Sequence, residues 1–119
     1  LRAKSTMGMG KKHEESVVKE FEWASAYRSR SSGASFHAPV DVTCDVAVIE
    51  CEATEGQSYS LKESFWNEVV EKQHSGKIPM LAVRFDRADH NVDLAVVSLD
   101  MLSGLLAEVE EYRDEALRS

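Results

Sequence analysis

Apolar positions recur at helical spacing in three stretches of the chain, and five others carry strand-like spacing or short apolar runs. Across residues 10–24, Val17, Val18, Phe21 and Ala24 fall at i, i+1, i+4 and i+7, which predicts an amphipathic helix preceded by an N-terminal arm at 1–9. Residues 27–30 read as a short strand, and Ser31-Ser32-Gly33-Ala34-Ser35 as a small-residue loop. Pro39 introduces an extended segment at 40–44, followed by a β-branched one at 46–53. The connection near Cys44 and Asp45 lacks the glycine or Asn-Gly of a tight hairpin, so either the turn is irregular or a tip segment is missing.

A second helix is predicted over 60–73, with Leu61, Phe65, Trp66, Val69 and Val70 on one side. Ser60 stands three residues before Glu63, the capping-box spacing, and Gly76 is placed for a C-cap. Residues 78–85 are apolar on both faces, as in a central strand covered on both sides. A further strand at 92–97 leads to a helix from about Ser98, for which Met101, Leu102, Leu105, Leu106, Val109 and Tyr112 supply a buried stripe. The order α-β-β-β-α-β-β-α predicts one α/β domain over residues 1–119, a mixed central sheet flanked by helices.

Composition agrees with that reading: of 119 residues, 43% are hydrophobic and 29% charged, the balance of a soluble globular domain. The longest apolar runs, 46–49 and 80–83, are far short of a membrane span. No signal-peptide core follows the basic start, and two cysteines are too few for a disulfide scaffold, so a cytoplasmic location is expected. The chain does not begin with Met, which predicts further residues ahead of Leu1. The net charge of −7 is unevenly spread: residues 1–40 sum to +3 and residues 41–119 to −10. An anionic partner would therefore be met by the N-terminal third.

The chemistry-bearing stretch is Pro39-Val40-Asp41 followed, nine residues after Asp41, by Glu50-Cys51-Glu52. On a strand Glu50 and Glu52 project together while Ile49 and Cys51 face the core. If the two extended segments pair, Asp41 comes near Glu50, and three carboxylates converge. Such a cluster repels itself unless it holds a hard cation, for which oxygen ligands and retained waters suit Mg²⁺. Glu-x-Glu alone is common on exposed strand edges. The added signal is Glu14, three and four residues before Val17 and Val18 and so on the inward stripe, although the first turn of a helix also accommodates a glutamate. The four histidines show no metal-ligand spacing; His37, in the loop before Pro39, is a low-probability substrate contact. Trp23, Phe65 and Trp66 lie on helical stripes as core or dimer contacts.

In order, Gly10-Lys11-Lys12-His13-Glu14, Arg30-Ser31-Ser32-Gly33-Ala34, Pro39-Val40-Asp41 and Glu50-Cys51-Glu52-Ala53-Thr54 resemble the PD-(D/E)xK nuclease superfamily. Within it they are most similar to archaeal-type and phage Holliday junction resolvases. Ser58-Tyr59-Ser60-Leu61 and Gly76-Lys77-Ile78-Pro79-Met80-Leu81-Ala82-Val83-Arg84-Phe85 extend the likeness, which covers about residues 10–85. The resemblance implies a restriction-endonuclease-like fold and hydrolysis of DNA phosphodiesters at four-way junctions by a homodimer, in recombination and repair. It implies a catalytic set of Glu14, Asp41, Glu50 and Ser32, to which the carboxylate cluster adds Glu52. Asp41, Glu50 and the main-chain carbonyl of Cys51 would hold Mg²⁺ or Mn²⁺, and Glu14 would join through the ion or its waters. Lys11, Lys12, Arg28 and Arg30 would bind DNA phosphates, and Ser32 (or Ser31) would approach the scissile strand.

One departure stands out: the family's lysine, two residues after the second acid, is Glu52 here. Glu52 is then an extra ligand or general base, as in some restriction-enzyme relatives. Otherwise Lys62 reaches the site as a displaced lysine, or the site is impaired and the protein binds DNA without cutting it. A restriction or repair nuclease of the same superfamily is the other enzymatic alternative.

Overall fold

The computed structural model of the chain describes residues 2–29, 40–72 and 76–118, with side chains from residue 8 onward. Helix α1 (Arg2–Glu20) and a 3₁₀ turn (Glu22–Ala24) lead into β1 (Tyr27–Arg28), β2 (Val42–Thr43) and β3 (Ala47–Thr54). Helix α2 (Glu63–Glu71) crosses over to β4 (Ile78–Asp86), which is followed by β5 (Asn91–Val96) and α3 (Leu99–Arg118). The five strands form one sheet in the order β1-β2-β3-β4-β5. β3 and β4 are parallel and the other three pairs antiparallel, so the domain is a mixed α/β sheet in the element order the sequence implied. The parallel pair is the one joined by a helix, as that geometry requires.

The core lies between α1 and the sheet. Val17 and Ala24 pack with Val42, Cys44, Ala47, Ile49 and Ala82, and Val18, Phe21, Cys51, Ile78 and Met80 close the cluster. Alternation along β3 therefore sends Ala47, Ile49 and Cys51 toward α1 and leaves Val48, Glu50 and Glu52 on the opposite face. β4 is buried through its middle, Leu81 to Arg84, as a central strand should be.

The β2–β3 turn is held from outside, which explains how it forms without glycine. The Cys44 N–H donates to Ala47 O at 3.0 Å across the turn. The Asp45 N–H donates to Ala24 O at 2.8 Å, and Val46 O accepts from the Ile78 N–H at 2.9 Å. Both turn residues thus satisfy backbone groups through tertiary partners, and neither has a positive φ.

Several local expectations are corrected. The expected arm at 1–9 is helical from Arg2, and α1 stops at Glu20, with Ala24 carried by the 3₁₀ turn. Residues 2–9 contain good helix formers and no proline but no apolar stripe, so periodicity did not reveal them. Helix α2 begins at Glu63 after an extended Lys62 with no side-chain cap, so Ser60 and Glu63 form no capping box. Gly76, at φ +81°, follows the Lys72 C-cap by four residues instead of adjoining it. Trp23 is 73% exposed, its ring 6.2 Å from that of Phe21. Most consequentially, no residue of α3 is buried, so its apolar stripe is not core. Its N-terminus is well formed, with the Ser98 hydroxyl accepting from the Met101 N–H at 3.1 Å.

Ile49, wholly inaccessible in the middle of the cluster, is its most sensitive member. Ile49→Ala is expected to cost about 3 kcal/mol, measured as a lowered midpoint in urea unfolding.

Candidate active site at the β2–β3 hairpin

Val42 pairs with Ile49 and Thr43 with Val48, a register that carries Asp41 alongside the stretch Glu50-Cys51. The contact is direct: the Cys51 backbone N–H donates to Asp41 Oδ2 at 2.9 Å. A hydrogen bond from a backbone amide fixes the orientation of the aspartate carboxylate.

Glu50 stands on the other face of β3 from the apolar core. Its carboxylate is buried, and Lys72 Nζ, at the C-cap of α2, donates to its Oε1 at 3.0 Å. Burial, and then the charge of Asp41, outweigh that lysine and raise Glu50 from the ordinary carboxylate range to about 7. Glu52, half-buried two residues along, is also raised, first by burial and then by Asp41. Tyr59 borders the same group, its phenol raised by burial and by Glu52.

Cys51 completes the picture from the α1 face. Its thiol is raised out of the reactive range, chiefly by burial and further by Asp41, Glu14, Glu50 and Glu52. Its side chain packs against the core cluster.

The remaining predicted residues separate into groups. Glu14 is tied to Arg28, whose Nε donates to Glu14 Oε1 at 3.0 Å, so Arg28 is an ion-pair partner and not an uncommitted phosphate ligand. The reason is geometric: β1 runs beside α1, and the inward carboxylate of the helix needed a cation. Lys11 and Lys12 are exposed on α1. Lys62 is the exposed N-cap of α2, and the lysine that reaches Glu50 is Lys72, ten residues on. Arg30, Ser31, Ser32 and His37 lie outside the described residues. Arg84 closes a two-pronged ion pair with Asp93 across β4 and β5, at 2.7 and 2.9 Å, and serves the sheet.

Sequence reasoning passed over two residues here. Lys72 lacked any local signal, because only the length and docking of α2 bring its Nζ to Glu50. His13, whose spacing gave it no role, is buried on α1, with Nε2 3.0 Å from Ala82 O and Nδ1 without a hydrogen-bond partner.

Among the described residues, no three His, Cys, Asp or Glu side chains are gathered closely enough to hold a metal ion. The donor chemistry nevertheless suits a hard cation. Asp41 and Glu50 offer oxygen only, Glu50 is raised first by burial and then by the charge of Asp41, and Mg²⁺ is commonly bound by one or two carboxylates completed by water and phosphate. The sequence matches no protein-family model, and no curated protein is similar to it.

The Glu50 shift has a consequence for stability. Because its pKa is raised on folding, the native state binds the proton more tightly than the unfolded chain. The associated stabilisation is complete below the unfolded value of 4.5 and is lost as pH rises through about 7. After discounting for solvent screening, about 1–2 kcal/mol should disappear over that interval. Urea titrations at the two ends of the interval should show this loss in the parent protein and a correspondingly smaller one in Glu50→Gln.

Proposed function

We propose that this protein is a metal-dependent DNA endonuclease acting on branched DNA, most specifically a Holliday junction resolvase. The observation that carries the reading is the juxtaposition of Asp41 and Glu50 on paired strands with Lys72 set against Glu50. Two acids and one ammonium at a strand hairpin are the elements that phosphodiester hydrolysis requires. The order of motifs along the chain and the mixed sheet are consistent with the nuclease resemblance.

In this reading Asp41 and Glu50 hold Mg²⁺ or Mn²⁺, with the Cys51 carbonyl as a further oxygen. The bound ion supplies an acidified water and neutralises charge on the phosphate. Asp41 is held in place by the Cys51 amide, so its carboxylate needs no rearrangement to accept a cation. Lys72 keeps Glu50 polarised before the ion arrives and afterwards offers a positive charge to the phosphate, the role the family assigns to the residue that is Glu52 here. Glu52, with its proton affinity increased by burial, is the base that takes a proton from the attacking water. The water oxygen bonds to phosphorus, one P–O ester bond breaks, and the departing alkoxide takes up a proton. Lys11 and Lys12 extend the positive surface along α1, within the N-terminal third that sums to +3. Symmetric cutting of a four-way junction needs two copies of the chain.

A second reading, binding without efficient cleavage, is favoured by the absence of a third clustered ligand among the described residues. Incubation of an end-labelled four-way junction with Mg²⁺ separates the two. Paired nicks that vanish on chelation are expected, with activity falling by at least ~100-fold in Asp41→Asn and by ~10–100-fold in Lys72→Ala. Salt-sensitive junction binding with no nicks in the parent, and gain of cleavage in Glu52→Lys, would establish the second reading instead. A preference for duplex or flap DNA would move the assignment to a restriction or repair nuclease, and no binding to DNA would overturn both readings.

A further inference from the structure

Helix α3 carries an apolar face that no described residue covers. Leu102, Leu105, Val109 and Tyr112 follow one another at spacings of three and four, the seam of a helix pair, with Leu106 beside them. All of these side chains are exposed, from 37% for Leu105 to 75% for Tyr112. The 20 residues of α3 span ~30 Å, and the helix stands away from the body of the domain. The radius of gyration is 16.0 Å, against ~13–14 Å for a compact domain of this length. Monomeric proteins rarely leave so long a contiguous apolar strip in water.

We propose that α3 pairs antiparallel with α3 of a second copy of this chain, across a two-fold axis near the middle of the helix. Reversal of the seam about the point between Leu105 and Val109 sets Leu105 of one copy opposite Val109 of the other, and Leu102 opposite Tyr112. The pattern is therefore self-complementary, as an isologous contact requires. Charge selects the direction. Residues 99–107 hold one charged side chain, Asp100, whereas residues 108–118 hold Glu108, Glu110, Glu111, Asp114 and Glu115 with only Arg113 and Arg118 to offset them. Parallel pairing would set the two acidic halves side by side, and antiparallel pairing sets each beside a nearly neutral half.

The five side chains on the seam side (Leu102, Leu105, Leu106, Val109 and Tyr112) at ~100 Å² each remove ~500 Å² per copy from water, below the ~800 Å² per partner of a standard interface and in keeping with a concentration-dependent dimer. Among the described residues, a groove of about 720 Å³ between α1 and β5, floored by Met80, Ala82 and Ala95, is another apolar receptor. Its rim carries Glu20 and Glu22 with Lys19 against them, which leaves an acidic balance facing the acidic half of an incoming α3, so the groove is the poorer seat.

Sedimentation equilibrium of the full chain tests the pairing without reference to DNA. The expected particle has twice the 13.3 kDa chain mass. Leu105→Glu should weaken association by at least ~30-fold. Its sheet and α1 should stay folded, because no residue of α3 is buried within the chain, while its unfolding midpoint should fall below the parent's and lose the concentration dependence that a dimer imposes. An equimolar mixture of Leu105→Glu and Val109→Lys should recover a mixed dimer, while Leu105→Glu with Leu105→Lys should not. Recovery only in the latter mixture would establish parallel pairing and overturn the proposal. A single-chain mass at all concentrations would also overturn it, as would a dimer that survives Leu105→Glu but is lost in Ala95→Arg.

Discussion

Two carboxylates brought together on paired strands, with one lysine between them and neutrality, form the constraint around which the hairpin and α2 are arranged. Glu50 is buried, and an ionised carboxylate in that position is costly unless a cation is close. Lys72 meets the need from the end of α2, so the docking of that helix and the charge on β3 are coupled. A single ammonium does not fully offset both burial and the charge of Asp41, which is why Glu50 remains raised to about 7. An ordinary structural ion pair would lower the carboxylate's pKa, as Arg84 does for Asp93 at the other side of the sheet. The contrast between those two pairs in one small domain marks the hairpin as the place where the fold tolerates unresolved electrostatic tension, a common property of functional sites.

The two faces of the sheet divide the tasks. The α1 face is a conventional apolar core with two polar intruders: Glu14 is met by Arg28, and His13 by Ala82 O at Nε2 alone. The α2 face carries the acids. Cys51 sits between these environments: its backbone N–H orients Asp41 while its side chain belongs to the core. Packing around Ile49 and Cys51 therefore fixes not only stability but the position of the candidate site, since a slip of one residue in β3 would exchange the acid and apolar faces.

How much of this was legible depended on whether the cause was local. The alternation Ile49, Glu50, Cys51, Glu52 placed acids and apolar groups on opposite faces by strand geometry alone, and the nine-residue step back to Asp41 was enough to anticipate the pairing. The order of elements and the central position of β4 followed from periodicity for the same reason. Lys72 could not be read, because a side chain that acts across a crossover depends on helix length and docking. The glycine-free turn was ambiguous for a similar cause: its hydrogen bonds go to Ala24 and Ile78, far away in sequence. The stripe on α3 was read correctly as apolar and incorrectly as buried, because periodicity reveals that a helix has a face to cover and says nothing about what covers it.

That last distinction bears on how the domain would work as an assembly. Asp41 lies beside β2, toward the β1 edge of the sheet, whereas α3 follows β5 at the opposite edge. Contact between copies through α3 would thus leave the hairpin of each copy uncovered, and a two-fold axis would relate the two acid pairs by symmetry. The charge distribution points the same way. Lys11, Lys12 and Lys19 are exposed on α1, while the acidic half of α3 follows the other edge of the sheet. Negative charge there disfavours a polyanion at that edge. In the proposed assembly, a small domain that does not enclose its final helix within its own core would thereby keep the surface of self-association apart from the surface a charged substrate would meet.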